Sequence, residues 1–239
     1  MDLHSFMDRY ATRLRVGAVA LALTAPLPAA ANLIQNGSFE DPLVPNAFYT
    51  NFAAGSTGIT GWKVVGVDTS IIDGDFTQNG ITFQAQDGNQ WADLAGVNSN
   101  STLSGLTQTV TTIVGELYEL SFYVGSATDG RFFFPTAVDV SIDGGGRTKF
   151  SNPNAPTNAL DWMRFSLQFT ATSAATSLTF FNGAAANNFN SAFDNVSLVQ
   201  VSESVPEPGS LALVGLGLAG LSLRRRRERA KALGGRAAV

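Results

Sequence analysis

The chain has 239 residues, no Cys, one His and a formal net charge of −4. Without Cys there is no disulfide, thiol nucleophile or Cys-based zinc site, and the one His, His4, lies where a targeting segment is expected to be removed. A mature form then has no Ser-His-Asp triad and none of the usual transition-metal ligands. Residues 32–204 carry fifteen Asp and Glu against five Lys and Arg, which argues against nucleic acid as a partner, because phosphate binding needs clustered cations.

The N-terminus comes first in chain order. Arg13 and Arg15 precede an apolar run over 16–24, followed by Pro26, Pro28, Ala29, Ala30 and Ala31. A basic start, a short apolar stretch and a small-residue cleavage site predict a removable signal peptide over 1–31. Met7 is an alternative start that leaves a tidier basic region. The other reading, a buried core helix, does not account for the charge order or the cleavage site.

The body, 32–204, reads as one all-β domain. Tyr118, Leu120, Phe122 and Val124 alternate with polar neighbours; so do Val138, Val140 and Ile142, then Met163, Phe165, Leu167 and Phe169, then Leu178 and Phe180. A period of two is the mark of a strand with one buried face. Gly115, the Gly144–Gly146 run, Asn152-Pro153-Asn154 and Asn182-Gly183 supply turns between them. Nine or ten strands are predicted, drawn from segments near 33–40, 60–66, 67–72, 81–86, 90–94, 102–110, 117–125, 136–143, 147–150, 161–170, 176–181 and 193–201. The architecture this implies is an antiparallel two-sheet sandwich or jelly roll.

Two end motifs, Asn36-Gly37-Ser38-Phe39-Glu40 and Phe193-Asp194-Asn195-Val196, bracket Gly61-Trp62, a Gly88–Leu94 segment and a Gln108–Phe122 segment. In this order they resemble the galactose-binding-like jelly roll of carbohydrate-binding modules and secreted cell-wall-associated β proteins. The resemblance implies first and last strands that lie close together, and a carbohydrate partner.

Asp194 shares parity with Val196 and Leu198, so it is expected to point inward, where a carboxylate needs a partner. Glu40 follows Phe39 at the end of the first strand. Either both accept backbone amides, or they meet around a hard cation; the resemblance favours structural Ca2+. For a sugar surface, Trp162 and Tyr123 fall on polar-face parity beside Arg164, with Arg131 and Asp139 as a polar rim, while Trp62 and Trp91 are assigned to the core. Core or edge packing is the competing reading for each aromatic. The run Phe132-Phe133-Phe134 cannot all be buried by a strand of period two, so it contacts a ligand or folds over a sandwich end. Loop acids such as Asp68, Asp73, Asp75 and Asp87 leave a carboxylate-based polysaccharide hydrolase as the weakest alternative.

At the C-terminus, Pro206-Glu207-Pro208 precedes an apolar run over 211–223 and then Arg224, Arg225, Arg226 and Arg227. As a helix the run is about 20 Å long, marginal against a hydrocarbon core near 30 Å, with the arginines held on the cytoplasmic side. An ordinary tail anchor is the plain reading of 205–239. The triplet, helix and Arg cluster together resemble the PEP-CTERM sorting signal of Gram-negative bacteria. That resemblance implies a transmembrane sorting helix, transient anchoring in the inner membrane, removal by an exosortase, and delivery to the cell surface or an exopolysaccharide biofilm matrix. The expected function is a secreted, non-catalytic carbohydrate-binding protein; the alternative is a structural matrix or adhesion protein with no defined sugar site.

Overall fold

Alternating apolar residues on short strands must be buried against a second layer, and the structure, a computed structural model, supplies a second sheet. It describes residues 31–97, 99–128, 135–184, 190–201 and 210–234. In chain order the strands are β1 (Tyr49–Ala53), β2 (Lys63–Val65), β3 (Asp68–Asp73), β4 (Thr77–Gln78), β5 (Ile81–Thr82), β6 (Gln90–Asp93) and β7 (Gly105–Thr111). They continue with β8 (Leu117–Ser126), β9 (Thr136–Ile142), β10 (Thr148–Asn152), β11 (Asp161–Thr170), β12 (Ala175–Asn182) and β13 (Ala192–Gln200), and a helix, α1 (Ser210–Gly234), follows. One sheet has the order β1-β3-β6-β13-β8-β11, the other β10-β9-β12-β7-β2, and β4-β5 form a small hairpin. The strand pairs are antiparallel.

The two sheets share one core. Phe122 and Phe193 of the six-stranded sheet meet Phe180 of the five-stranded sheet, with Phe180 and Phe193 ring centroids 4.6 Å apart. Trp62 and Phe39 extend this aromatic stack. Burying each such ring is worth roughly 1.5–3 kcal/mol, which makes these contacts the main fastener between layers. Trp62 and Trp91 are both buried, as expected of core residues. Trp91, however, belongs to a second cluster, with Ile72, Ile81, Phe83 and Ala192, on the far side of the six-stranded sheet.

The expected first strand, 33–40, is not a strand. The segment runs beside β13, where Leu33 N donates to Leu198 O at 2.8 Å and Val196 N donates to Gly37 O at 2.9 Å. Asn36 and Phe39 have positive φ, and a Cβ on Gly37 would fall 2.1 Å from Val196 O, so the chain turns where a pleat was expected. The expected proximity of the two end motifs does hold. Of the segment 81–86, only Ile81–Thr82 is strand. β1 is absent from the sequence reading because Tyr49 joins the far-side cluster while Phe52 packs on the main core, so its apolar residues do not alternate.

α1 continues through Arg224, Arg225, Arg226 and Arg227, and Arg224 Nε donates to Glu228 Oε1 at 3.1 Å. The expected transmembrane sorting helix is not met: among the described residues, no helix is long and apolar enough to cross a membrane. The physical reason is that charge enters directly after the thirteen-residue apolar run ends. Residues 1–30, the Pro206-Glu207-Pro208 triplet, Arg131 and Phe132–Phe134 lie outside the described residues.

Candidate functional site

The far face of the six-stranded sheet is set by strand register. Tyr49 pairs with Ile72, Ile72 with Trp91, Asp194 with Tyr123 and Tyr123 with Arg164, which makes a row across the sheet. A second row holds Asn51, Ser70, Asp93, Ala192, Gly125 and Trp162. Asp194 stands in the first row through a bulge. Register shifts between Asp194 and Ser197, where Asn195 adopts φ 49°. Phe193 and Val196 therefore both enter the main core, and Asp194 points to the opposite face. The inward parity expected for Asp194 is thus reversed.

Residues 74–90, with the β4-β5 hairpin, cover this face and are pinned at almost every backbone position from 83 to 90. Trp91 Nε1 donates to Phe83 O (2.8 Å) and Trp162 Nε1 to Gln84 O (3.0 Å). Asp194 Oδ2 accepts from Gln86 N (2.8 Å) and Asp87 N (3.0 Å), and its Oδ1 accepts from Asn195 N (2.7 Å). Glu40 Oε1 accepts from Asn89 N and Gln90 N, each at 2.8 Å. Gly88 sits at the turn with φ +70°, and a Cβ there would lie 2.4 Å from Glu40 Oε1, so only glycine fits between the two carboxylates' attachment points.

Three residues singled out by sequence, Glu40 and Asp194 as one carboxylate pair and Trp162 for a sugar surface, therefore converge on one loop. Asp194 is fully buried; burial pushes its carboxyl up to about 8, against the lowering effect of the Asp87, Asn195 and Gln86 amides. Neither Glu40 nor Asp194 forms an ion pair among the described residues, and no group of three or more His, Asp or Glu gathers there.

Trp162 does not stand free as a sugar platform. It is half-buried and packs edge-on against Trp91, with centroids 6.1 Å apart. Tyr123 is half-buried between Asp194 and Arg164, and Arg164 is held by Glu119 at 3.5 Å. Asp139 lies on β9 of the other sheet and pairs with Lys149 at 2.9 Å, so it cannot rim this face. Asp68, expected in a loop, is buried on β3.

The sequence reading missed the cavity that the 74–90 segment creates. It has a volume of about 150 Å³, with Tyr49, Phe76, Phe83 and Trp91 as walls and Asp93 at its polar end. Asp93 Oδ1 accepts from Ser191 N and Ala95 N, both at 3.0 Å, and Oδ2 takes no protein donor among the described residues. Burial pushes the Asp93 carboxyl up to about 7; those two amides oppose the rise and the charge of Asp68 adds to it. A broader polar depression, lined by Asn46, Asp73, Asp75, Gln84 and Asn89, lies on the other side of the segment. The one available signal was the aromatic density of 76–91, which alternates poorly because it serves a loop.

Comparison with known proteins adds the following. A family model described as "Protein of unknown function (DUF642)" matches residues 32–198, and the PEP-CTERM protein-sorting motif matches residues 204–227. Halomucin of Haloquadratum walsbyi is 32% identical over 181 residues, which is 73% of this chain and 2% of that protein, so the chain spans only a small part of its relative. Among solved structures, a CBM22-1 xylan-binding domain from Paenibacillus barcinonensis is 15% identical, covering 66% of this chain and 96% of that one at a TM-score of 0.39. TmCBM61 in complex with β-1,4-galactotriose is 14% identical, covering 72% and 100%, also at 0.39. An exo-β-1,3-galactanase from Phanerochaete chrysosporium with galactose is 17% identical, covering 63% and 29%, at 0.38.

Proposed function

The chain belongs to the DUF642 family through residues 32–198 and carries a PEP-CTERM sorting motif, and from that premise we propose that it is an exported, non-catalytic surface module that contacts glycan through the cavity beneath residues 74–90. The sorting motif implies export to the cell envelope and processing by an exosortase. On this reading a signal peptide delivers the chain, an exosortase of a Gram-negative cell processes the tail, and the processed jelly-roll body meets exopolysaccharide.

The observation that carries the reading is the cavity wall. Four aromatic rings beside one polar end are the chemistry that receives the apolar face of a pyranose while fixing its hydroxyls. The volume suits a single sugar unit, at a chain end or a branch, better than an extended chain. The test is titration of the exported protein with an array of neutral and acidic oligosaccharides, read by calorimetry. Tyr49→Ala and Phe76→Ala, at half-buried walls, should each weaken binding about tenfold with the fold intact. If no glycan binds, the structural-matrix reading replaces this one.

We propose further that Glu40 and Asp194 hold Ca2+ at the 86–90 turn. Both offer hard oxygen donors, no Lys or Arg neutralises them among the described residues, and Glu40 Oε2 takes no protein donor there. A bound cation would favour the ionised form of the Asp194 carboxyl, which burial pushes up to about 8, and would tighten the turn. Chelation is then expected to lower Tm by several degrees at pH 7.5, with recovery on adding Ca2+ and not Mg2+. An unchanged Tm would leave the backbone amides as the sole partners of the pair.

A further inference from the structure

We infer that the aromatic cavity selects uncharged sugar units and rejects uronic ones, with the Asp93 side chain as the determinant. This rests on the glycan reading above and adds the ligand's charge class to it. Asp93 is 8% exposed, and that remaining exposure coincides with its place in the cavity lining. Its Oδ1 is committed to the amides of Ser191 and Ala95, while Oδ2 is open to accept a hydroxyl.

The surroundings offer an anion no cation in return, and the uncharged amides of Gln78 and Asn190 are the polar groups that line the cavity beside Asp93. No Lys, Arg or His lines the cavity among the described residues. On the strands beside Asp93, β3 brings a second buried carboxylate, Asp68, and β1 brings Tyr49, while β13 brings Ala192 opposite it. Arg164, farther across the same face, is engaged by Glu119. A Cβ on Gly96, another lining residue, would lie 2.5 Å from the Asp68 carboxylate, so the second acid sits directly behind the cavity wall. A ligand carboxylate entering this space would meet two like charges, one lining it and one behind its wall. A neutral sugar would instead donate a hydroxyl to Oδ2 and pack its ring on the aromatics.

The test uses the exported protein and matched pairs: galactotriose against trigalacturonate, and a neutral gluco-oligosaccharide against its glucuronate counterpart. At pH 8.5 the Asp93 carboxyl is ionised, and the neutral member of any pair that binds should bind at least tenfold more tightly. At pH 5.0, where Asp93 is protonated and the uronates remain charged, the gap should narrow to about threefold or less. Asp93→Asn should show the narrow gap at both pH values, and the wild-type pH series keeps the test decisive if that variant does not fold. Equal or tighter binding of the uronates at pH 8.5, or a gap that persists at pH 5.0, overturns the inference while leaving the glycan reading intact. Failure of every oligosaccharide to bind overturns both.

Discussion

Replacing Asp194 by Ala is expected to lower the unfolding free energy by about 3 kcal/mol or more and to expose the amides of Gln86 and Asp87 to hydrogen exchange. The carboxylate is fully buried and accepts three backbone amides, two of them more than a hundred residues away in sequence. Removing it leaves three partly buried N–H groups with no protein acceptor, at about 1 kcal/mol each. Asp194→Asn should recover most of the loss, because its carbonyl oxygen can still accept from Gln86 and Asp87. Denaturant titration gives the first quantity and exchange rates give the second. A change under about 0.5 kcal/mol, with protection of residues 86 and 87 unaltered, would show that the loop is held elsewhere.

The second large effect is a pH dependence of stability centred on Asp93. Its carboxyl is raised from 3.8 to about 7 by burial, so between these values the folded chain holds a proton that the unfolded chain releases. Stability is therefore greatest below about pH 4 as far as this group is concerned, falls as pH rises through 4–7, and is flat above. Each tenfold gain in proton affinity on folding is worth ~1.4 kcal/mol, so the full window is on the order of 4 kcal/mol. Asp194, raised to about 8, acts with the same sign. Unfolding free energies measured at pH 5 and pH 8 in chelator should differ accordingly, and Asp93→Asn should flatten the slope between them. A wild-type protein more stable at pH 8 than at pH 5 would contradict the assignment. The same group would then be sensed twice, once by the fold and once by whatever enters the cavity.

The long strands were legible because their alternation is local. β8 buries Tyr118, Leu120, Phe122 and Val124 while Glu119, Ser121 and Tyr123 remain on the other face, and β11 repeats this with Arg164, Ser166 and Gln168 exposed. Trp162, Tyr123 and Arg164 were correctly placed on one face for the same reason. Asp194 was misdirected because one residue, Asn195, takes a left-handed φ, and a bulge inverts every parity before it. For Trp162 the sequence left a sugar surface and edge packing both open, because nothing in its own strand reveals that Gln84 and Trp91 will close over it.

Composition and the Pro-Glu-Pro triplet determined by themselves that this is an exported β domain without thiol chemistry, since the sorting motif and strand periodicity are written in contiguous residues. Only the tertiary structure decided that Glu40, Asp194, Trp91 and Trp162 grip a single loop, and that the loop roofs an aromatic cavity ending in Asp93. The reason is sequence separation: the gripping residues lie as far as 108 positions from the amides they hold, and only the crossing of strands in the six-stranded sheet brings them within hydrogen-bond reach.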